Sequence, residues 1–188
     1  FFFLLSINKT IKPPRGIYNS TIQEPERAKF MKKSLKRQII KFKENYKKGE
    51  RFNLLEVGSY IGSSTLIFGD ILRNQLGDRF NIICVDPYKS YVKKNEKEWG
   101  LIEFSKGIEK MFFYFHYNIS LKKWRNNLIL LRKNYSQSLN FFKETKLSFD
   151  YIYIDGSHLY EDIKNDLEFY PNLLKFKKNY KGLLCGDD

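Results

Sequence analysis

The chain has 188 residues, of which 42% are hydrophobic and 29% charged, and this predicts one folded domain with a sizeable core. The same composition excludes a disordered, collagenous or fibrous chain. Lys and Arg number 34 against 21 Asp and Glu, which gives a net charge of +13. The excess is uneven, because residues 21–51 hold eleven basic and four acidic side chains, whereas residues 150–188 hold five and eight.

Two interpretations of this basic excess stay open. It fits a solvated surface in a chain rich in Lys, Asn, Ile, Phe and Tyr, and it fits a nucleic acid or other polyanion as partner. The acidic C-terminal part favours the first interpretation. The apolar run Phe1–Leu5 is far shorter than the roughly 20 residues that span a bilayer, so no membrane partner is predicted. Two cysteines, Cys84 and Cys185, favour a reducing, cytoplasmic location.

The chain begins with a predicted entry arm over residues 1–21, which contains Pro13, Pro14 and Gly16. A long amphipathic helix follows from Glu24 and ends before Gly49. It is predicted because apolar residues recur at steps of three and four: Ala28, Met31, Leu35, Ile39, Phe42 and Tyr46.

Five short apolar runs come next, at residues 53–57, 81–86, 127–131, 149–155 and 182–188. Helical patterns separate some of them, at residues 65–76 and 160–174. Near-continuous apolar strands that alternate with helices are typical of βαβ units in a parallel sheet. The predicted fold class is therefore α/β, with a doubly wound, mostly parallel sheet.

Residues 88–125 are longer than a simple crossover between the second and third strands. Because an insertion at the carboxyl end of a strand lies over the ligand crevice of such a sheet, a lid or substrate-binding element is one hypothesis. Ordinary helix packing would explain its aromatic residues equally well. His116 lies among these aromatics, so it is predicted to be a core or lid residue.

Ligands of open parallel sheets bind beyond the carboxyl ends of the strands. The first strand ends in Glu56 and a turn bounded by Gly58 and Gly62, where the backbone can approach a ligand closely. Asp86 ends the second strand and could accept hydrogen bonds from ribose hydroxyls. An acidic group beside a glycine turn suits a cationic amino group better than a pyrophosphate. Together these features favour an adenosine ligand with a positively charged tail.

Further acidic residues end the fourth and fifth predicted strands. Asp155 follows the fourth strand, and Asp187 and Asp188 follow the fifth. Neighbouring strands lie about 4.8 Å apart, so these three carboxylates could converge on a hard cation such as Mg²⁺. His158 lies three residues beyond Asp155 and has the right ordinary pKa, about 6.5, for a general base.

These segments resemble class I S-adenosylmethionine-dependent methyltransferases. The resemblance covers roughly residues 20–188, and it is strongest for the branch that contains macrocin-type sugar O-methyltransferases and cephalosporin-hydroxylase-like proteins. It rests on four segments, LEVGSYIGSS at 55–64, VDP at 85–87, IDGSHLYED at 154–162 and GDD at 186–188. It implies a methyltransferase domain over residues 22–188. The family's strand order, 3-2-1-4-5-7-6, implies a chain truncated after the fifth strand and keeps Cys84 and Cys185 apart.

The resemblance also assigns roles to individual residues. It implies that Glu56, Gly58 and Gly62 hold the methionine part of S-adenosylmethionine, with Ser59 and Ser63 in the same turn. Asp86 would bind the ribose and Ser136 would lie beside the adenine. Cofactor and metal would share Asp155, with Asp187 and Asp188 as the other Mg²⁺ ligands. His158 would take the proton from the substrate hydroxyl.

The predicted function is an S-adenosylmethionine-dependent and Mg²⁺-dependent O-methyltransferase, whose acceptor is a hydroxylated small molecule such as a sugar or glycoside. One alternative keeps the cofactor without the metal, with His158 alone as the base. A second alternative is a basic, non-catalytic module that binds RNA or another polyanion through residues 21–51. Self-association into a homo-oligomer stays open.

Overall fold

The computed structural model describes residues 25–89, 99–157 and 159–186. The predicted entry arm, His158, Asp187 and Asp188 lie outside these described residues. Five helices and seven strands occur in the described part of the chain, and no described helix is long and apolar enough to cross a bilayer.

The helices are α1 (Pro25–Asn45), α2 (Ser63–Leu76), α3 (Trp99–Ser120), α4 (Tyr135–Thr145) and α5 (Tyr160–Phe169). The strands are β1 (Phe52–Val57), β2 (Phe80–Val85), β3 (Leu128–Leu131), β4 (Tyr151–Ile154), β5 (Phe176–Lys177), β6 (Tyr180–Lys181) and β7 (Leu183–Gly186).

Five parallel strands form the central sheet, in the order β3-β2-β1-β4-β7. This order confirms the predicted doubly wound α/β fold, with β7 as the fifth strand of the prediction. Because β1 lies in the middle, its carboxyl end has those of β2 and β4 on either side, where such sheets bind ligands. Among the described strands β7 pairs only with β4.

The two faces of the sheet bury separate cores, because successive side chains of a strand point to opposite faces. Leu54 and Ile82 face the core that contains α1, α2 and α3, whereas Leu55 and Ile83 face the core beneath α4 and α5. The predicted apolar stripe of α1 is buried on the first face, with Met31, Leu35, Ile39 and Phe42 at most 3% exposed.

The insertion at residues 88–125 contributes α3, and four apolar side chains in its second half belong to the core: Met111, Phe115, Ile119 and Trp124. Phe115 is fully buried, and the indole of Trp124 packs so closely on Gly69 of α2 that an added Cβ there would lie 2.2 Å from it. His116 is half-buried, with its ring centre 4.4 Å from that of Phe112. Residues 90–98 of this insertion lie outside the described residues, and the lid hypothesis for residues 88–125 stays a prediction.

Two elements differ from the predicted ones. The helix predicted over residues 160–174 ends at Phe169 and continues as a 3₁₀ turn, Tyr170–Leu173, which contains Pro171. Proline has no N–H to donate, so it ends the regular helix. A short hairpin of β5 and β6 follows, which the hydrophobic pattern does not reveal because its strands have two residues each. Cys84 and Cys185 are both free thiols, in agreement with the prediction.

Candidate active site

The glycine turn after β1 contacts the end of β4 directly. Gly58 has φ of +83°, and a Cβ added there would lie 1.9 Å from the backbone oxygen of Asp155. Its N–H donates to the carbonyl of Val85 at 2.9 Å. Only glycine tolerates both this conformation and this approach. The turn is thereby held against both neighbouring strands, and its second glycine, Gly62, also has positive φ and lies under the ring of Phe115.

Glu56 is completely buried at the end of β1, and its carboxylate points toward α2. It accepts hydrogen bonds from the hydroxyls of Ser64 and Thr65, the latter at 2.5 Å, and from the thiol of Cys84 at 3.4 Å. Burial raises the pKa of Glu56 to about 7, although these hydrogen bonds lower it. In this structure the carboxyl therefore stabilises the first turn of α2, whose N-cap residue, Gly62, has no side chain to cap the helix.

Asp86 binds the glycine turn from the end of β2. One carboxylate oxygen accepts the N–H groups of Ser59 at 3.0 Å and Tyr60 at 2.9 Å, and the other accepts that of Tyr88 at 2.7 Å. Burial raises the pKa of Asp86 while these three amides lower it, and the net shift is upward. An ionised carboxylate has about four lone-pair sites, so room is left for one further hydroxyl.

Asp155 forms an ion pair with Arg27, from the first turn of α1. The Arg27 Nε also donates to the buried hydroxyl of Tyr153 at 2.9 Å, and its guanidinium carbon lies 5.9 Å from the centre of that ring. The sequence interpretation missed Arg27. Its position four residues before Met31 was an available signal, because it places a charged residue on the apolar face of the helix.

The predicted serines occupy different surroundings. Ser59 is buried within the glycine turn, and Ser63 is the first residue of α2. Ser136 is exposed in the first turn of α4, where its hydroxyl donates to Asn134 at 3.1 Å. That turn follows β3, the edge strand, so Ser136 lies two strands away from the glycine turn.

The described residues alone do not provide a metal site. They contain no group of three or more side chains suited to hold a metal ion. Asp155 is present but is paired with Arg27, while Asp187 and Asp188 lie outside the described residues. The chemistry of the described edge fits a polar ligand better: carboxylates end β1, β2 and β4, a guanidinium adjoins the last, and a backbone turn closes the centre.

Comparison with known proteins agrees with this architecture. A family model described as "Methyltransferase domain" matches residues 55–188. No protein of curated function matches the sequence.

Solved structures of methyltransferases are similar to this chain at low sequence identity. The apo structure of CalS11, described as a TDP-rhamnose 3'-O-methyltransferase of calicheamicin biosynthesis, is 15% identical with a TM-score of 0.51, over 95% of this chain and 72% of that chain. A SAM-dependent methyltransferase from Agrobacterium tumefaciens is 11% identical with a TM-score of 0.49, over 79% of this chain. This chain spans 40% of the length of the Agrobacterium protein. With most of its length matched by the family model and its sheet in the order described above, the chain belongs to the methyltransferase-domain family.

Proposed function

We propose that this protein transfers the methyl group of S-adenosylmethionine to a hydroxyl oxygen of a small molecule, namely a sugar or glycoside. The observation that carries the proposal is the convergence of Glu56, Asp86 and Asp155 around the Gly58 turn, at the ends of three adjacent strands. The matched family model supports methyl transfer. The choice of a hydroxyl acceptor rests on the motif resemblance described above.

The described residues fit the proposed cofactor. Asp86 is fixed at the end of β2 by three backbone amides and has a lone pair left for a ribose hydroxyl. Asp155 and Arg27 offer opposite charges beside the glycine turn. When bound, S-adenosylmethionine supplies an electrophilic methyl group, so the protein has to orient the acceptor and remove its proton.

The proposed base is His158, which follows Ser157 in the chain. Replacement of His158 by Gln should lower kcat by about 10²- to 10⁴-fold and leave S-adenosylhomocysteine binding intact. His116→Gln is the matched control, because His116 packs against Phe112 and has no proposed role in proton transfer. An equal loss in both variants would contradict the assignment.

The proposal includes Mg²⁺ as a second cofactor, with Asp155, Asp187 and Asp188 as its ligands. Three carboxylates are a donor set that hard cations prefer. Methyl transfer should then stop on addition of a chelator and return with Mg²⁺, and Asp188→Asn should weaken the Mg²⁺ dependence. Full activity in the presence of chelator would favour the metal-free alternative, with His158 alone as the base.

The first experiment is a calorimetric titration of the purified chain with S-adenosylhomocysteine, with and without Mg²⁺. Saturable binding is expected. A panel of nucleotide sugars and glycosides would then be screened for formation of S-adenosylhomocysteine from S-adenosylmethionine. A chain that is folded by circular dichroism and binds no S-adenosylhomocysteine would refute the proposed function.

A second candidate function rests on the solvent face of α1. Seven basic residues of α1 are exposed: Lys29, Lys32, Lys33, Lys36, Arg37, Lys41 and Lys43. Such a face suits a polyanion such as RNA. Polyanion binding that falls steeply with salt and is unchanged by Asp155→Ala would support this module, whereas a salt-independent signal would not.

A further inference from the structure

The Arg27–Asp155 ion pair connects the first turn of α1 to the carboxyl end of β4. The guanidinium bonds to the Asp155 carboxylate through one nitrogen and to the Tyr153 hydroxyl through another. The Arg27 side chain is 14% exposed and that of Asp155 is 19% exposed. Both charges are therefore largely withdrawn from water but still reach the surface of the site.

This pair differs from the other two carboxylates around the glycine turn. Glu56 is completely buried and bonded to hydroxyls of α2, and Asp86 is bonded to three backbone amides. Those contacts occur inside the protein and hold the turn in shape. Among the described residues of this edge, Arg27 and Asp155 thus form a pair of opposite side-chain charges that a ligand could reach.

The pair also lies directly beside the turn. The backbone oxygen of Asp155 is in contact with Gly58, and the Asp155 carboxylate is close enough to Glu56 to raise the pKa of that buried group. A largely buried ion pair is costly to desolvate and is weak evidence for a stabilising role by itself. A ligand that carries an ammonium and a carboxylate on one carbon would match both charges at once.

We infer that Arg27 binds the α-carboxylate of the methionine part of S-adenosylmethionine and that Asp155 accepts its ammonium group. This inference rests on the proposed function. The ligand exchanges one internal ion pair for two. Arg27 bonds to one Asp155 oxygen, Oδ2, and a carboxylate has two acceptor oxygens, so the proposed Mg²⁺ would bind the second oxygen. The planar guanidinium can engage a carboxylate through two parallel hydrogen bonds, which an ammonium side chain cannot do.

The test separates carboxylate recognition from a merely structural link between α1 and the sheet. Two ligands are titrated by calorimetry: S-adenosylhomocysteine and its decarboxylated analogue, which lacks only the α-carboxylate. Each is measured against the wild type, Arg27→Gln, Arg27→Lys and the control Arg37→Gln. Arg37 lies on the same helix with its side chain in solvent.

Arg27→Gln should weaken S-adenosylhomocysteine binding by about 10- to 100-fold, as expected for loss of charge-assisted hydrogen bonds. The same variant should change binding of the decarboxylated analogue by less than about 3-fold, and Arg27→Lys should give an intermediate loss. Arg37→Gln should leave both affinities unchanged. Thermal unfolding of each variant identifies any loss of fold.

Equal losses for the two ligands in Arg27→Gln would overturn the inference, since Arg27 would then act only through the position of α1. An unchanged affinity for S-adenosylhomocysteine would overturn it as well. If the folded wild type binds neither ligand, the proposed function fails and the inference fails with it. The wild-type titration therefore distinguishes the two failures.

Discussion

Replacement of Gly58 by alanine should separate the ends of β1 and β4. The added Cβ would lie 1.9 Å from the backbone oxygen of Asp155, 2.5 Å from its carbonyl carbon and 2.7 Å from the Cα of Gly156. All three are backbone atoms, so the contact cannot be relieved by rotation of a side chain. The φ of +83° adds conformational strain for any residue with a Cβ. Strain contributes about 1–3 kcal/mol and overpacking about 1–3 kcal/mol, so the free energy of unfolding should fall by about 2–6 kcal/mol.

Gly77→Ala is the matched control, because Gly77 also has positive φ, +64°, yet its added Cβ would meet nothing within 4 Å. Only the conformational strain of about 1–3 kcal/mol applies there. Urea unfolding followed by circular dichroism measures both losses. S-adenosylhomocysteine affinity should fall only in the Gly58 variant, because only that change displaces the site. Losses of unfolding free energy that agree within about 0.5 kcal/mol would refute the close β1–β4 contact as the cause.

Three further predictions concern buried groups. Burial raises the pKa of Glu56 to about 7, so the folded chain keeps this proton where the unfolded chain has lost it, and stability falls as pH rises from about 4.5 to 7. Because Gln does not titrate, the free energy of unfolding of Glu56→Gln relative to that of the wild type should rise by roughly 2–3 kcal/mol between pH 5 and pH 8. Urea unfolding at several pH values measures this difference, and a difference that does not change with pH would contradict the prediction. Gly69→Ala should lower the free energy of unfolding by about 1–3 kcal/mol, despite the higher helix propensity of alanine, because the Cβ would meet the Trp124 indole at 2.2 Å; a stabilised variant would disprove that contact. Asp150 accepts from Lys175 at 2.6 Å, Tyr180 at 2.8 Å and the Asn53 N–H at 2.7 Å. Asp150→Asn should cost about 3 kcal/mol in thermal or urea unfolding, against less than about 1 kcal/mol for the exposed Asp78→Asn; equal costs would count against the buried network.

Much of the fold could be predicted from the sequence. The strands are short, nearly continuous apolar runs, and such runs arise when a strand is buried on both faces. Helix α1 could be predicted as well, because its buried face leaves an apolar stripe from Met31 to Phe42 in the sequence. Helix α4 was missed, although its Asn134 and Gln137 form a capping box. Its spacing, Asn followed three residues later by Gln, was an available signal.

The residue types of the candidate site could also be predicted, since acidic groups and glycines at strand ends stand out against apolar runs. The hydrogen-bond and ion-pair partners of these residues could not be predicted. Glu56 was expected to face a ligand, and the same motif is compatible with the observed bonds to Ser64 and Thr65. Which way a carboxylate points depends on the donors around it, and those come from a helix whose position is set by packing.

By itself the sequence determined the alternation of strands and helices, the parallel sheet and the acidic ends of its strands. These features depend on hydrophobic periodicity and turn residues, which are local properties of the sequence. Only the tertiary structure decided that Asp155 meets Arg27, 128 residues away in the chain, and that Gly58 contacts the β4 backbone. Such contacts depend on the crossing of α1 over the sheet and on the pairing of β1 with β4. No local pattern carries that information, since side chains distant in sequence meet only when the whole core packs.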